Sequence, residues 1–235
     1  MESNTDQAAG RSKGSQVATN RRRKSLKTAG ACILALLMVA CGGKIRYPKY
    51  YTLSIAPAPK PLVSDPRMPA TLAVRRFETP AYLRQGRIVY REAPGEVGFY
   101  EYHRWAADPG ATVTSGVIDA LRLSRLFSSV EHYDGHNKPD YLLTGRLERL
   151  DEIDYGGGVR VEAKLTAQIT NLRTGATLWS GSAAETLGVD TRTVSAVVSK
   201  MSDAVQASID SLVASMEQQL SDAHMSELYN KVSHQ

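Results

Sequence analysis

The sequence VRVEAKLTAQIT at residues 159–170 decides the fold, because apolar and polar side chains alternate along its whole length. A period of two predicts a β-strand with one dry face and one solvated face. Gly156-Gly157-Gly158 before it and Arg173-Thr174-Gly175 after it have the composition of turns. Segments 141–150 and 177–181 are therefore predicted to pair with this strand in an antiparallel three-stranded meander.

Apolar residues recur at steps of three and four from about residue 191 to residue 221, which predicts a long amphipathic helix. We expect its apolar stripe to cover the dry face of the meander rather than to bind lipid. An earlier helix is predicted from Val113 to Phe127 by the same spacing, with Asp108 or Thr112 as its N-cap. The apolar positions of the long helix are Val194, Val197, Val198, Met201, Val205, Ile209, Leu212, Met216 and Leu220.

Further strands are predicted at residues 47–55, 71–77, 87–91 and 98–103. The last two are rich in aromatic residues and are separated by a turn sequence at residues 93–96, so they should form a hairpin. The proline-rich stretch between the first two should be an extended connection. The elements together predict an α+β fold, a single two-layer domain in which two helices pack on one face of a largely antiparallel sheet.

The mature protein is predicted to begin at Cys41. An apolar run at residues 31–40 follows five basic residues between positions 21 and 27, and it ends in Ala40 directly before Cys41. This pattern is typical of a lipoprotein signal, with cleavage between Ala40 and Cys41 and lipid attachment at Cys41. The run is shorter than the ~20 residues that a membrane-spanning helix needs. The alternative is that Cys41 is an ordinary buried thiol near an ordinary cleavage site.

The predicted cleavage before Cys41 and the predicted elements divide the chain into four parts. They are a signal peptide with a long polar and basic n-region (1–40), a lipidated tether (41–46), one domain (47–222) and a polar C-terminal tail (223–235). General secretion is favoured over the twin-arginine route, although Arg22-Arg23 loosely resembles the latter signal. Residue 42 is Gly, not the Asp that retains lipoproteins in the inner membrane, so we expect a lipid anchor on the periplasmic face of the outer membrane.

The charge balance argues against nucleic acid as a partner. The chain has 29 basic and 24 acidic residues, and residues 1–40 hold seven of the basic and two of the acidic ones. Removal of the signal therefore leaves 22 of each, and the mature protein is formally neutral. Binding to phosphates requires a basic surface, which the composition of the mature protein does not predict.

No recognised catalytic or metal-binding motif occurs in the sequence. His132 and His136 flank a predicted loop rather than one helical face, and no cysteine or HExxH pattern lies near them. Asp151, Glu152 and Asp154 are candidate acid and base groups, but we expect them to be solvated at a strand end beside three glycines. We therefore predict no enzymatic activity, no metal and no cofactor.

Several segments in order resemble the ABC-type transport auxiliary lipoproteins, of the paraquat-inducible protein C (PqiC) type. They are Tyr50-Tyr51-Thr52-Leu53, Leu72-Ala73-Val74 with Pro80-Ala81-Tyr82-Leu83, Ile88-Val89-Tyr90-Arg91, Trp105 before the first helix, and the Trp179 strand. The resemblance covers about residues 47–220. It implies helices packed on a mixed sheet, in agreement with the elements predicted above.

The resemblance also implies a function and partners. It points to a non-enzymatic outer-membrane lipoprotein that works with an ABC or membrane permease system, whose MCE-domain subunit carries phospholipids or other hydrophobic molecules across the periplasm. Homo-oligomers are left open as a further kind of partner. The dense aromatic residues of segments 87–91 and 98–105 suggest where such a partner docks, because aromatic residues are favoured at binding hot spots. The candidate contacts are Tyr90, Tyr100, Tyr102 and Trp105, unless these side chains fill the core.

Two other functions remain as alternatives. A periplasmic binding lipoprotein would hold lipid or another solute itself, in a cavity between the sheet and the last helix lined by Val197, Met201, Ile209 and Leu165. An envelope hydrolase would need a nucleophile beside a base, and the sequence contains no motif that supplies the two together.

Overall fold

The computed structural model describes residues 46–56 and 65–233, with side chains in residues 46–56 and 65–221. The chain divides into two units, residues 1–46 and 47–235, and every helix and strand below belongs to the second. Ala40 and Cys41 lie outside the described residues. None of the described helices is long and apolar enough to span a membrane.

The described residues of the second unit form eight strands, two α-helices and one short 3-10 helix. The strands are β1 (Lys49–Tyr51), β2 (Met68–Val74), β3 (Arg87–Arg91), β4 (Gly98–Trp105), β5 (Phe127–His132), β6 (Tyr141–Ile153), β7 (Arg160–Asn171) and β8 (Thr177–Gly188). The helices are α1 (Pro109–Ser124) and α2 (Val194–Ser233), and the 3-10 helix is Leu83–Gln85. The predicted α+β class is confirmed, with two helices on a mixed, largely antiparallel sheet.

The predicted meander forms one side of the sheet, with β8 as its outer strand among the described residues. β7 pairs antiparallel with β6 from Ile153↔Arg160 to Tyr141↔Asn171, and with β8 on its other side. Val161, Leu165 and Ile169 are fully buried, whereas the alternate positions of β7 are partly or fully exposed. The α2 positions Met201, Val205 and Ile209 are also fully buried and belong to the same core. The helix therefore covers the dry face, as predicted.

β6 is shared between two parallel neighbours because it is longer than either of them. β2 pairs with its beginning (Leu72↔Tyr141) and β3 pairs with its end (Tyr90↔Glu152). β2 then pairs with β5, whereas β3 pairs with β4 and β4 with β1. β7 occupies the other side of β6, so β1 and β5 are the outermost described strands of two branches that lie on the same side of β6, one at each end of it.

The structure corrects several predicted boundaries. The first helix ends at Ser124 rather than Phe127, and Phe127 begins β5, a strand that the sequence analysis did not predict. Asp108 is confirmed as the N-cap, since its Oδ1 accepts a 2.8 Å hydrogen bond from the Ala111 amide. β8 continues to Gly188 rather than Gly181, and α2 continues beyond residue 221 to Ser233.

Candidate partner-binding surface

Four rings contact one another in a row across the hairpin and its neighbour strand, and we call Tyr51, His103, Tyr100 and Tyr90 the ring ladder. The ring centroids lie 5.5 Å apart for Tyr51 and His103, 5.6 Å for His103 and Tyr100, and 5.1 Å for Tyr100 and Tyr90. Tyr51 Oη and His103 Nδ1 are also 2.9 Å apart. The ladder therefore joins β1, β4 and β3 through side chains as well as backbone.

An irregular register in the hairpin makes this row of rings possible. β3 and β4 pair at Arg87↔Arg104 and Val89↔Phe99, with a register shift between these two pairs. In a regular strand Tyr100 and His103 would point to opposite faces because they are three residues apart. The shift, which is typical of a β-bulge, allows their rings to touch.

The absence of a side chain at Gly98 leaves room for the ring of Tyr90, the last ring of the ladder. A Cβ atom built on Gly98 would lie only 2.4 Å from Cζ of Tyr90, so any larger residue would displace that ring. The close approach explains why the hairpin carries a glycine at the position paired with Tyr90.

The four predicted contact residues are not equally available to a partner. Tyr90, Tyr100 and Tyr102 are half-buried, whereas Trp105 is only 6% exposed and belongs to the hydrophobic core. Tyr100 also packs against the core. The accessible part of the predicted surface is thus formed by the three tyrosines.

Glu152 of β6 accepts a hydrogen bond from Tyr100, one of the two inner rings of the ring ladder. The hydroxyl of Tyr100 donates a 2.7 Å hydrogen bond to Glu152 Oε2, and Glu152 is 5% exposed. Burial raises the pKa of Glu152, although the hydrogen bond from Tyr100 opposes the shift. Burial and the bond to Glu152 also raise the pKa of Tyr100. Burial, followed by the charge of Lys49, lowers the pKa of His103.

Asp151, the residue before Glu152, is fully buried and pairs with Arg91 of β3. Arg91 Nε donates a 2.6 Å hydrogen bond to Asp151 Oδ2. The other oxygen, Oδ1, has no hydrogen-bond partner among the described residues. Burial raises the pKa of Asp151, and Arg91 opposes this shift.

The predicted solvation of this acidic cluster is therefore wrong for Asp151 and Glu152. The glycine turn at residues 156–158 is exposed, but both carboxylates lie in β6, one pairing with Arg91 and the other with Tyr100. Asp154 lies closer to the turn, is half-buried and forms a 3.1 Å ion pair with Arg192. In this arrangement the carboxylates hold strands and side chains together.

Arg91 extends these interactions to two loops. Its Nη1 donates a 3.1 Å hydrogen bond to the Glu96 carbonyl in the hairpin turn. Its guanidinium also lies 5.6 Å from the ring centroid of Tyr82, whose hydroxyl donates to the Glu148 carbonyl. The hairpin that carries the ladder is thus fixed to β6 from both faces.

The histidines that were considered as metal ligands do not form a common site in the part of the chain whose side chains are described. His132 and His136 are exposed, and the His136 amide donates a hydrogen bond to Asp134 in its own loop. Within the described ranges, no three His, Cys, Asp or Glu side chains are grouped to hold a metal ion. His224 and His234 lie outside the residues whose side chains are described.

The residues proposed to line a cargo cavity pack in the hydrophobic core. Val197, Met201, Ile209 and Leu165 are each at most 2% exposed. Two clefts, of about 550 and 510 Å³, are lined by other residues and share Glu78 and Arg146. The larger cleft lies on the polar face of the meander, lined mainly by Thr, Ser and Gln side chains.

Tyr51 and His103 were not predicted as parts of this surface. Their contact depends on the parallel pairing of β1 with β4, in which Tyr51 lies opposite Trp105 and Lys49 opposite His103. A local sequence pattern cannot predict that β1 pairs with β4, because the two segments are about 50 residues apart in the chain. Arg91 was part of a predicted strand, but its partner Asp151 could be found only from the parallel pairing of β3 with β6.

One protein family has a sequence model that matches this chain. A sequence model of the ABC-type transport auxiliary lipoprotein component matches residues 51–223, which is most of the chain. A comparison with curated proteins finds no match.

Solved structures with a similar fold are distant in sequence. A Xanthomonas campestris protein of the DUF330 family superimposes with a TM-score of 0.66 at 18% identity, covering 75% of this chain and 99% of that one. An uncharacterized protein superimposes with a TM-score of 0.54 at 14% identity, covering 73% and 99%. The PelC dodecamer from Paraburkholderia phytofirmans gives 0.36 at 16% identity, covering 62% and 90%, too weak a likeness to bear on this chain. The first two establish a shared fold.

Proposed function

The chain belongs to the ABC-type transport auxiliary lipoprotein family, and from this membership we propose that it is a lipid-anchored docking protein. In the proposed role, acyl chains on Cys41 hold it on the periplasmic face of the outer membrane. There it binds the MCE-domain subunit of a transport system for lipids or other hydrophobic molecules. It acts as a binding component and not as an enzyme.

The anchor is supported by the sequence around Cys41. The basic segment, the short apolar run and Ala40 precede a cysteine that would be the only one in the mature chain. Each buried methylene of an acyl chain contributes about 0.8 kcal/mol, so several chains give durable attachment where one does not. Gly42 supports the outer membrane as the destination.

The ring ladder is the observation that carries the docking role. Its rings are fixed by mutual contacts and by Glu152, yet Tyr90 and Tyr100 remain partly exposed, as does the nearby Tyr102. A pre-ordered aromatic surface loses little side-chain entropy on binding, and tyrosine is enriched among the residues that dominate binding energy. The hairpin therefore offers a suitable surface for a protein partner.

A second copy of the chain is the other partner that we propose. Among the described strands, β8 pairs with β7 alone, so one of its edges is open over 12 residues. β8 has a single charged residue, Glu185, and neither Lys nor Pro. Long edges without such residues are templates for pairing with another strand, which favours an oligomer built through β8.

Co-purification tests the docking role. The lipidated protein, extracted from its native membranes in mild detergent, should bring the MCE-domain subunit with it. Tyr90→Asp and Tyr102→Asp should each abolish recovery of that subunit while thermal unfolding of the domain stays cooperative. Tyr133→Asp is the matched control, because Tyr133 is a half-buried tyrosine directly after β5, in the branch of the sheet at the other end of β6. Equal recovery with all three variants would reject the tyrosines of the hairpin as the docking surface.

A further inference from the structure

Two exposed tyrosines stand at the very start of the domain, and we propose that they form a surface that lies on the lipid bilayer. Tyr47 is 79% exposed and Tyr50 is 63% exposed. Among the described residues, the other exposed large apolar side chains are Leu123 at 37% and Leu172 at 46%. With the exposed Lys49 between them, Tyr47 and Tyr50 make up what we call the N-terminal tyrosine surface.

This surface is attached firmly to the sheet. β1 pairs in parallel with β4, placing Lys49 opposite His103 and Tyr50 opposite Arg104. The Tyr51 carbonyl accepts a 2.8 Å hydrogen bond from the Ala106 amide, and the Tyr51 ring belongs to the ladder. Tyr50 is therefore presented at a fixed edge of the domain, and Tyr47 lies two residues before the first residue of β1.

The short chain between Cys41 and Tyr47 favours the bilayer as the ligand of the N-terminal tyrosine surface. This step rests on the proposed function, since it takes Cys41 as the lipidated residue. Tyr47 is six residues after Cys41, and an extended chain of that length spans at most about 21 Å. The N-terminal tyrosine surface thus cannot lie farther than that from the anchored cysteine.

The chemistry of the segment also fits a membrane interface. Tyrosine has an apolar ring and a polar hydroxyl, and it is enriched where headgroups meet the hydrocarbon region. Lys49 belongs to this surface, and the sequence between Cys41 and Tyr47 adds Lys44 and Arg46. Basic residues close to a bilayer are attracted to anionic phospholipids. The structure thus assigns a phospholipid surface as the ligand of this edge.

Contact at this edge would orient the whole domain. β1 is joined through β4 and β3 to the end of β6, where Tyr90 pairs with Glu152. Leu172 follows β7 at the other end, where Asn171 pairs with Tyr141. At about 3.3 Å per residue, Tyr141 and Glu152 are some 35 Å apart along β6. The exposed Leu172 is therefore the matched control, because it should point away from the bilayer.

Tryptophan fluorescence in lipid vesicles tests this inference. The full chain, lipidated in its host, is reconstituted into vesicles of phosphatidylethanolamine with a minority of phosphatidylglycerol, with or without bromine in the acyl chains. The native Trp105 and Trp179 are buried, so the parent chain gives the background emission. Brominated lipid should quench the added emission of Tyr47→Trp severalfold more than that of Leu172→Trp. Replacement of phosphatidylglycerol by a neutral lipid should reduce the difference.

The outcomes separate this inference from the proposed function. Intact mass showing acyl chains on Cys41, with equal quenching of the two variants, would overturn the tyrosine surface and leave the anchor in place. A chain without acyl groups on Cys41 would overturn both. A blue shift of Tyr47→Trp in detergent that grows with protein concentration would assign the surface to a second copy and overturn the bilayer as its ligand.

Discussion

Arg91 Nε and Asp151 Oδ2 lie 2.6 Å apart, and this pair joins the hairpin of β3 and β4 to the centre of the sheet. Asp151 is fully buried, and the Arg91 side chain is only 12% exposed. Removal of one partner from a buried pair leaves the other charge without compensation. The hairpin that carries the ring ladder should therefore depend on this contact.

Arg91→Met is expected to destabilise the domain by about 3–5 kcal/mol in urea unfolding, because it leaves the buried Asp151 unpaired. Arg149→Met is the control, since Arg149 forms a 2.8 Å pair with Glu162 at the surface and should cost no more than about 1 kcal/mol.

The double variant Arg91→Met with Asp151→Leu should recover much of the loss, because it removes both charges together. Equal stabilities of Arg91→Met and Arg149→Met would show that the buried pair does not hold the hairpin.

Glu152→Gln should change how stability depends on pH. Burial raises the pKa of Glu152 above its ordinary value of 4.5, so the folded state binds more protons than the unfolded state as pH rises past that value. In the parent this carboxyl therefore becomes increasingly destabilising with rising pH. Glutamine cannot ionise and still accepts the hydrogen bond from Tyr100. The variant should gain stability relative to the parent at neutral pH, and the gain should vanish on acidification.

Glu148→Gln provides a comparison of opposite sign. The hydrogen bond from Lys164 lowers the pKa of Glu148, so its contribution to stability is present above the ordinary carboxyl pKa and is lost on acidification. This variant should be less stable than the parent at neutral pH and equal to it in acid. Urea unfolding at a series of pH values measures both differences. Parallel profiles for Glu152→Gln and the parent would contradict the account of the buried carboxyl.

A lysine in the open edge strand should weaken self-association. Ala184→Lys places a charge on an exposed position of β8, where an added strand would have to bury it. Gln168→Lys is the control, because Gln168 is exposed on β7, which already has a strand on each side. Sedimentation of the detergent-solubilised protein should give a smaller assembly for Ala184→Lys alone. A parent that sediments as a monomer would exclude the β8 oligomer.

Local sequence patterns were sufficient to predict the meander and the hairpin. Residues 159–170 alternate strictly, and the structure places β7 at Arg160–Asn171. The hairpin strand β3 has the predicted bounds, and Asp108 caps α1 as expected. These features depend on period, turn composition and capping, which are all encoded by neighbouring residues.

Features that depend on distant pairing were not predictable in this way. Leu126 and Phe127 continue the apolar spacing of α1. The sequence pattern therefore extended the predicted helix to Phe127, where the structure begins β5. The helix ends at Ser124, and its C-cap Arg125 has a left-handed φ of 54°, where sequence rules lead one to expect glycine. Asp151 and Glu152 are buried where β6 pairs in parallel with β3, which brings Arg91 of β3 and Tyr100 of its hairpin partner β4 to them.

Replacement of Cys41 is the most direct test of the central claim that this protein is held on a membrane by its own N-terminal lipid. The account predicts that the parent, produced in a bacterium with two membranes, remains with the outer membrane and has the mass of a chain starting at an acylated Cys41. Cys41→Ser should lose the acyl mass and leave the membrane fraction, whereas Cys32→Ser should behave as the parent. A Cys41→Ser protein with the parent's processed mass and membrane attachment would contradict the account.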